Sequence, residues 1–171
     1  EPGNGGGTVN VECDGGPCPP LGAIGYGTHV KVSANASTGS EIGTVSGEHS
    51  AAGCTVLPCE FELKENSKVV VPFNLQSESF SVNQTGTGTV ACKDNGSPAS
   101  CSGPFPYGDT VKVEVSPESG WELQVLTGTG SADGECNEGT GTCEFEITEP
   151  STVSVTFGLI PTNPSTLSVF K

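Results

Sequence analysis

The chain has 171 residues, with 25 glycines, 13 prolines, 8 cysteines and no methionine, and 20 acidic residues against 6 lysines leave a formal net charge of −14. A chain so acidic, without a single arginine, repels phosphate backbones and anionic membrane surfaces, which excludes nucleic acid as a partner. No apolar run approaches the roughly 18–20 residues of a membrane-spanning helix, so direct membrane insertion is not expected.

In chain order, the first predicted strand follows the glycines of residues 5–7 and ends at Cys13, with Cys18 close behind. "HVKVSA" comes next and sets Val30 and Val32 on one face, because strand side chains alternate. Cys54 and Cys59 precede "FEL" at residues 61–63, and "KVVVPF" at residues 68–73 closes the series. "NLQSES" then reads as a linker, and the order starts again. "ESFSVNQ" points Phe80 and Val82 inward, and "GTVAC" reaches Cys92, with Cys101 beyond it. "TVKVEV" aligns Val111, Val113 and Val115; Cys136 and Cys143 precede "FEI", and "TVSVTF" closes the second series. Segments are bounded by Gly, Pro, Asn and Ser, and no stretch holds helical spacing over ten residues.

The second series repeats the first. Residues 7–13 return at 88–92, 26–39 at 107–120, and 59–73 at 143–157, a period of about 81 to 84 residues. The fold class expected is all-β: two tandem small sandwich or open-barrel modules of short antiparallel strands, stapled by disulfides. The domains are residues 1–75, lacking a first strand; residues 76–158; and residues 159–171, a linker with a strand available for donation. Each module is small enough that its core alone is marginal.

Eight cysteines in so short a chain point to disulfides and an oxidising, extracellular compartment. Absence of the initiator Met fits an exported chain with its N-terminal signal removed, or a piece of a longer protein. The bridges expected are Cys13–Cys18, Cys54–Cys59, Cys92–Cys101 and Cys136–Cys143, with the first pair matched to the third and the second to the fourth. A loop this short contributes about 2 kcal/mol by chain entropy. Zinc needs four thiolates from two knuckles, and intervals of four, six and eight residues suit it poorly.

The order of elements resembles the divergent internalin-B-type repeat of bacterial exported and cell-wall proteins. The resemblance is carried by residues 5–9 and 86–90, 27–34 and 108–115, and 69–73 and 153–157, with the cysteine pairs between them. One departure is the family's "F-x-G-W", whose positions here read Ile42 with Val45, and Leu123 with Leu126. The one tryptophan, Trp121, falls directly after Gly120, so no role of the family tryptophan carries over. The resemblance implies a surface-exposed spacer, adhesive or scaffolding module without catalysis.

That family module opens with a strand ahead of its glycines. "SFSVNQ" supplies it for the second module, whereas the first begins at "EPGNGGG". "TLSVFK" at the other end of the chain aligns with "SFSVNQ", Leu167 in the place of Phe80 and Val169 in that of Val82. Thr166, Leu167, Ser168, Val169, Phe170 and Lys171 therefore read as a donor strand. It folds back onto its own module, belongs to a longer covalent array, or enters the next molecule and builds a filament. A linker of about eight residues reaches at most roughly 28 Å, and Pro161 and Pro164 stiffen it, which disfavours fold-back. Burying Leu167 and Val169 is worth about 1.5–3 kcal/mol each.

No nucleophile constellation is visible, and neither an enzyme nor a cofactor is expected. His29, which aligns with Asp109, and His49 read as solvated strand-end residues. Asp14, Asp94, Asp109 and Asp133 form no calcium loop, and residues 133–141 read as a turn. Phe105, Tyr107 and Trp121 could stack on a sugar, but Tyr107 has its twin in Tyr26, which favours packing. Asn35, Asn83 and Asn95 head glycosylation sequons, which makes glycans a candidate partner beside a second copy of the chain. The reading is an extracellular filament subunit assembled head-to-tail by strand donation. Its rival is a carbohydrate-binding, ligand-binding or spacer module of a larger secreted adhesin or enzyme.

Overall fold

The computed structural model describes residues 3–20 and 23–161; the segment Thr166 to Lys171, expected to be a donor strand, lies outside the described residues. The chain divides into two compact units, Glu1–Gln76 and Ser77–Lys171. Among the described residues the helical features are two 3-10 turns, His49–Ala51 and Gly130–Ala132.

Unit 1 contains β1 (Gly7–Cys13), β2 (Gly16–Pro17), β3 (His29–Ala36), β4 (Ser40–Ile42), β5 (Ser46–Glu48), β6 (Cys59–Glu62), β7 (Lys68–Val70) and β8 (Phe73–Leu75). A four-stranded sheet runs in the order β2-β1-β3-β6, and two short ribbons pair β4 with β8 and β5 with β7. In β3 the alternation works as the sequence implies: Val30 and Val32 are buried, while Lys31 faces outward and meets Glu60 at 3.8 Å.

Unit 2 contains β9 (Ser77–Thr85), β10 (Gly88–Asp94), β11 (Ser97–Ala99), β12 (Ser102–Pro106), β13 (Thr110–Pro117), β14 (Trp121–Thr129), β15 (Cys136–Asn137), β16 (Thr142–Glu146) and β17 (Ser151–Leu159). A five-stranded sheet, β11-β10-β13-β16-β15, packs on a four-stranded one, β12-β9-β17-β14. Val111, Val113, Val115 and Phe145 on the first sheet meet Phe80, Val153, Val155 and Phe157 on the second, forming one core. This is an open sandwich. The strands are not all antiparallel: β17 pairs with β9 in parallel, Ser151 level with Phe80 and Val153 level with Val82. Connectivity is the reason, since β9 opens the unit and β17 closes it, leaving the rest of the unit as the crossover a parallel pair requires.

The expected linker at residues 74–79 is mostly strand. Asn74 and Leu75 belong to β8, Ser77 to Ser79 belong to β9, and Gln76 alone intervenes. Likewise Gly158 and Leu159 extend β17, with the Ile160 N–H donating to the Gly120 carbonyl at 2.9 Å.

Registers in the two units correspond. β1 pairs with β3 as Gly7–Ala36 and Val11–Val32, and β10 with β13 as Gly88–Pro117 and Cys92–Val113, each residue displaced by 81. Ser40 pairs with Leu75 and Ile42 with Phe73, as Trp121 pairs with Leu159 and Leu123 with Phe157. The bulge between Leu123 and Val125 in β14 falls where unit 1 breaks between β4 and β5. Gly7 and Gly88 hold the same place, where a Cβ would collide with the ring of Phe73 or Phe157. The 3-10 turns begin at His49, φ 60°, and Gly130, φ 66°.

The bridges are Cys13–Cys18, Cys54–Cys59, Cys92–Cys101 and Cys136–Cys143. Cys59 faces Val32 and Cys143 faces Val113, which is one lattice point in both units. The match of Cys13 with Cys92 needs correcting. The register places Cys92 at the position of Val11, and Cys13 at that of Asp94, two residues further along the strand. One bridge thus closes the tip of a hairpin in unit 1, while its counterpart starts inside the core, where Cys92 is buried. A similar slip affects His29: the register sets it level with Thr110, and Asp109 answers to Thr28.

Candidate functional site

Unit 1 contains an open groove of about 1090 Å³ between its four-stranded sheet and β7. Its walls are mainly apolar: Val9 and Val11 from β1, Val30 and Val32 from β3, Phe61 and Leu63 from the β6 side, and Val69 to Val71 opposite, with Ile24 and Tyr26 also lining it and the polar run Lys64 to Lys68 completing it. Alternation explains the lining from β1 and β3, which turn Val9 and Val11, and Val30 and Val32, toward what would be the sandwich core.

The end of the groove is pinned by a small hydrogen-bond lattice. The Ser67 hydroxyl accepts from the Ser50 N–H at 3.0 Å and donates to the Glu65 carbonyl at 2.9 Å, while the Ser50 hydroxyl accepts from the Lys64 N–H at 3.0 Å. Unit 2 has the same lattice, with Ser151 accepting from Ser131 at 2.9 Å and donating to Glu149 at 2.8 Å, and Ser131 accepting from Thr148 at 2.9 Å. Ser67 and Ser151 are therefore equivalent, and Val69, Val71 and Phe73 answer to Val153, Val155 and Phe157.

What differs is the neighbour. In unit 2 the strand β17 lies between β14 and β9. In unit 1, β7 has β5 on one side, and no strand among the described residues pairs with its other edge. The edge of β8 is met by the first described residues: the Gly5 N–H donates to the Phe73 carbonyl at 2.8 Å, and the Leu75 N–H donates to the Asn4 side chain at 3.1 Å. Pro72 ends β7 because it has no N–H to offer a sheet. The unpartnered lane runs along residues 67–71.

Unit 2 shows what fills that lane. Phe80 of β9 is 3% exposed and touches Phe105 edge-on at 5.6 Å and Phe145 at 6.0 Å. The counterparts of those two rings are Ile24 and Phe61, and both line the groove. Val9 is 48% exposed and Tyr26 80%, whereas their counterparts Val90 and Tyr107 are partly covered.

The other sequence candidates do not converge. Phe105 is buried on β12 beside β9 and Trp121 packs partly into the core, so with Tyr107 they present no stacking platform. His29 opens β3, exposed; His49 starts a 3-10 turn and meets the exposed Glu65 at 3.5 Å. Among the described residues no group of three His, Cys, Asp or Glu side chains is placed to hold a metal. In residues 133–141, the Glu138 carboxylate accepts from the Leu126 N–H at 3.2 Å. Asn35, Asn83 and Asn95 are exposed, Asn95 in the β10–β11 turn at φ 46°.

Charges on the outer sheet face of unit 2 form a ladder, with Lys93–Glu114 at 2.8 Å and Lys112–Glu144 at 3.2 Å. The Glu144 carboxylate raises the Lys112 ammonium, and the Lys93 ammonium holds Glu114 below the usual carboxylate value. Such exposed pairs add little stability. Asp94 stands apart: burial, and then the neighbouring Asp109 carboxylate, push its acid up, and one of its oxygens is buried without a partner.

A family model described as the divergent InlB B-repeat domain matches residues 79–161, beginning inside β9 and ending just past β17. Neither the curated proteins nor the solved structures compared contain a match to this chain. The disulfides and this match are consistent with an extracellular, surface-associated repeat module.

Proposed function

We propose that the chain is a non-enzymatic structural subunit of an extracellular surface fibre, made of two copies of one module and assembled head-to-tail by strand donation. One observation carries the reading. The segment that leaves unit 1 is β9, and β9 lies parallel to β17 and seals the core of unit 2. The segment that leaves unit 2 has the same alternating pattern, with Leu167 and Val169 in the places of Phe80 and Val82. Unit 1 offers the lane that such a strand fills. The junction between molecules then repeats the junction within one, which gives the open head-to-tail geometry that grows filaments.

The match to the family supports the same reading, because the matched region includes most of β9, a strand for which unit 1 shows no counterpart among the described residues. The test is the double variant Leu167→Asp and Val169→Asp, followed by sedimentation and electron microscopy. Both units keep their circular dichroism and disulfides, and polymer disappears. Filaments of unchanged length in that variant overturn the proposal.

A further inference from the structure

The geometry points to the unit 1 groove as a peptide receptor of fixed polarity and register. Residues 167–171 of a second copy add parallel to β7, Leu167 level with Ser67, Val169 level with Val69 and Lys171 level with Val71. This rests on the assembly reading and specifies its recognition step.

The register comes from unit 2. There Ser151 is level with Phe80, Val153 with Val82 and Val155 with Gln84. The serine lattice makes Ser67 equivalent to Ser151, and the Ile42–Phe73 pair, matching Leu123–Phe157, carries that equivalence to the far end of the strand. The guest side chains then follow the pleat. Leu167 enters the place of Phe80 and meets Ile24 and Phe61, the counterparts of the rings that Phe80 touches. Val169 sits two residues on, over the same wall, while Ser168 and Phe170 face outward. Past Val71 the lane stops. Beyond Val71 comes Pro72 without an N–H, and beyond that Gly5 already donates to the Phe73 carbonyl at 2.8 Å. Specificity therefore lies in two apolar side chains two residues apart, on a backbone running the same way as β7.

The receptor for the test is the full chain carrying Leu167→Asp and Val169→Asp, so that it does not fill its own kind. The probe is a synthetic peptide of residues 163–171 with a diazirine leucine at position 167, or a diazirine side chain at 169. Expected are saturable one-to-one binding, covalent adducts on Ile24 and Phe61 from the 167 probe, and adducts on residues 69–71 from the 169 probe. Placing Asp at position 167 of the peptide weakens binding at least tenfold, a change that leaves the folding of the receptor untouched. Absence of saturable binding, adducts outside the groove, or a 167 probe that marks residues 71–73 overturns the inference. In-register binding by a native chain that forms no filaments sinks the fibre and spares the receptor. Filaments that depend on Leu167 while the peptide marks another surface sink the register and spare the fibre.

Discussion

Val153, Val155 and Phe157 in unit 2 are buried, whereas Val69, Val71 and Phe73, at the equivalent points of unit 1, are only half-buried. Ile147 and Leu63 repeat the contrast, as do Phe145 and Phe61. The residue types are nearly the same and so are the registers; among the described residues, unit 1 shows no counterpart of β9, of β12, which pairs with β9, or of the short β15. What β9 supplies to unit 2 is more than a row of main-chain hydrogen bonds. Phe80 is the plug between the two sheets; unit 1 shows no counterpart of it among the described residues, and its apolar faces line an open groove there. A unit that leaves apolar surface in water gains less from folding, and a complementary strand gains it back.

The comparison breaks most severely if the plug is removed from unit 2. Phe80→Ala should cost about 3–5 kcal/mol and leave unit 2 no more protected in hydrogen exchange than unit 1. Phe61→Ala in the free chain should cost about 1–2 kcal/mol, because that ring is already half in water. Equal losses for the two variants would mean that the groove is closed in solution.

A smaller effect tests the correspondence of the turns. His49 carries a positive φ where unit 2 has Gly130, and left-handed backbone strains a residue with a Cβ. His49→Gly should stabilise unit 1 by about 0.5–1 kcal/mol in chemical denaturation, since the exposed contact to Glu65 adds little in return. A loss of stability would show that the two turns are not equivalent.

The smallest effect concerns pH. Burial and the Asp109 carboxylate raise the Asp94 acid in the folded state, so the folded form binds a proton that the unfolded form releases. The stability from this group is present below the ordinary carboxylate value and is lost as pH rises through the raised folded value. The equivalent of Asp94 in unit 1 is Cys13, bridged and uncharged. Asp94→Asn should remove that slope and raise the melting temperature of unit 2 at neutral pH by less than about 4 °C. An unchanged pH profile between acid and neutral solution would remove Asp94 from the account.

The strands of β3 and β13, their inward valines and the inward Phe80 are legible in the sequence, because a period of two is the physical signature of a strand with one wet face. Local cysteine pairs are legible for a similar reason, as short loops admit few partners. The two-residue slip between Cys13 and Cys92 is not, since gaps in a comparison of letters can be placed anywhere, whereas hydrogen-bonded partners settle the count. The parallel β9–β17 pair is hidden too: alternation tells which face is apolar and says nothing of a strand's direction beside its neighbour.

By itself, then, the amino-acid order determined which segments are strands, which side of each is apolar, and that "TLSVFK" repeats the pattern of "SFSVNQ". These are properties of neighbours along the chain. Which edge stands unpartnered among the described residues, and that Ile24 and Phe61 occupy the places where Phe105 and Phe145 hold a ring, were decided by tertiary structure alone. Pairing in a sheet joins residues far apart in sequence, and only their meeting shows whether a face has found its cover.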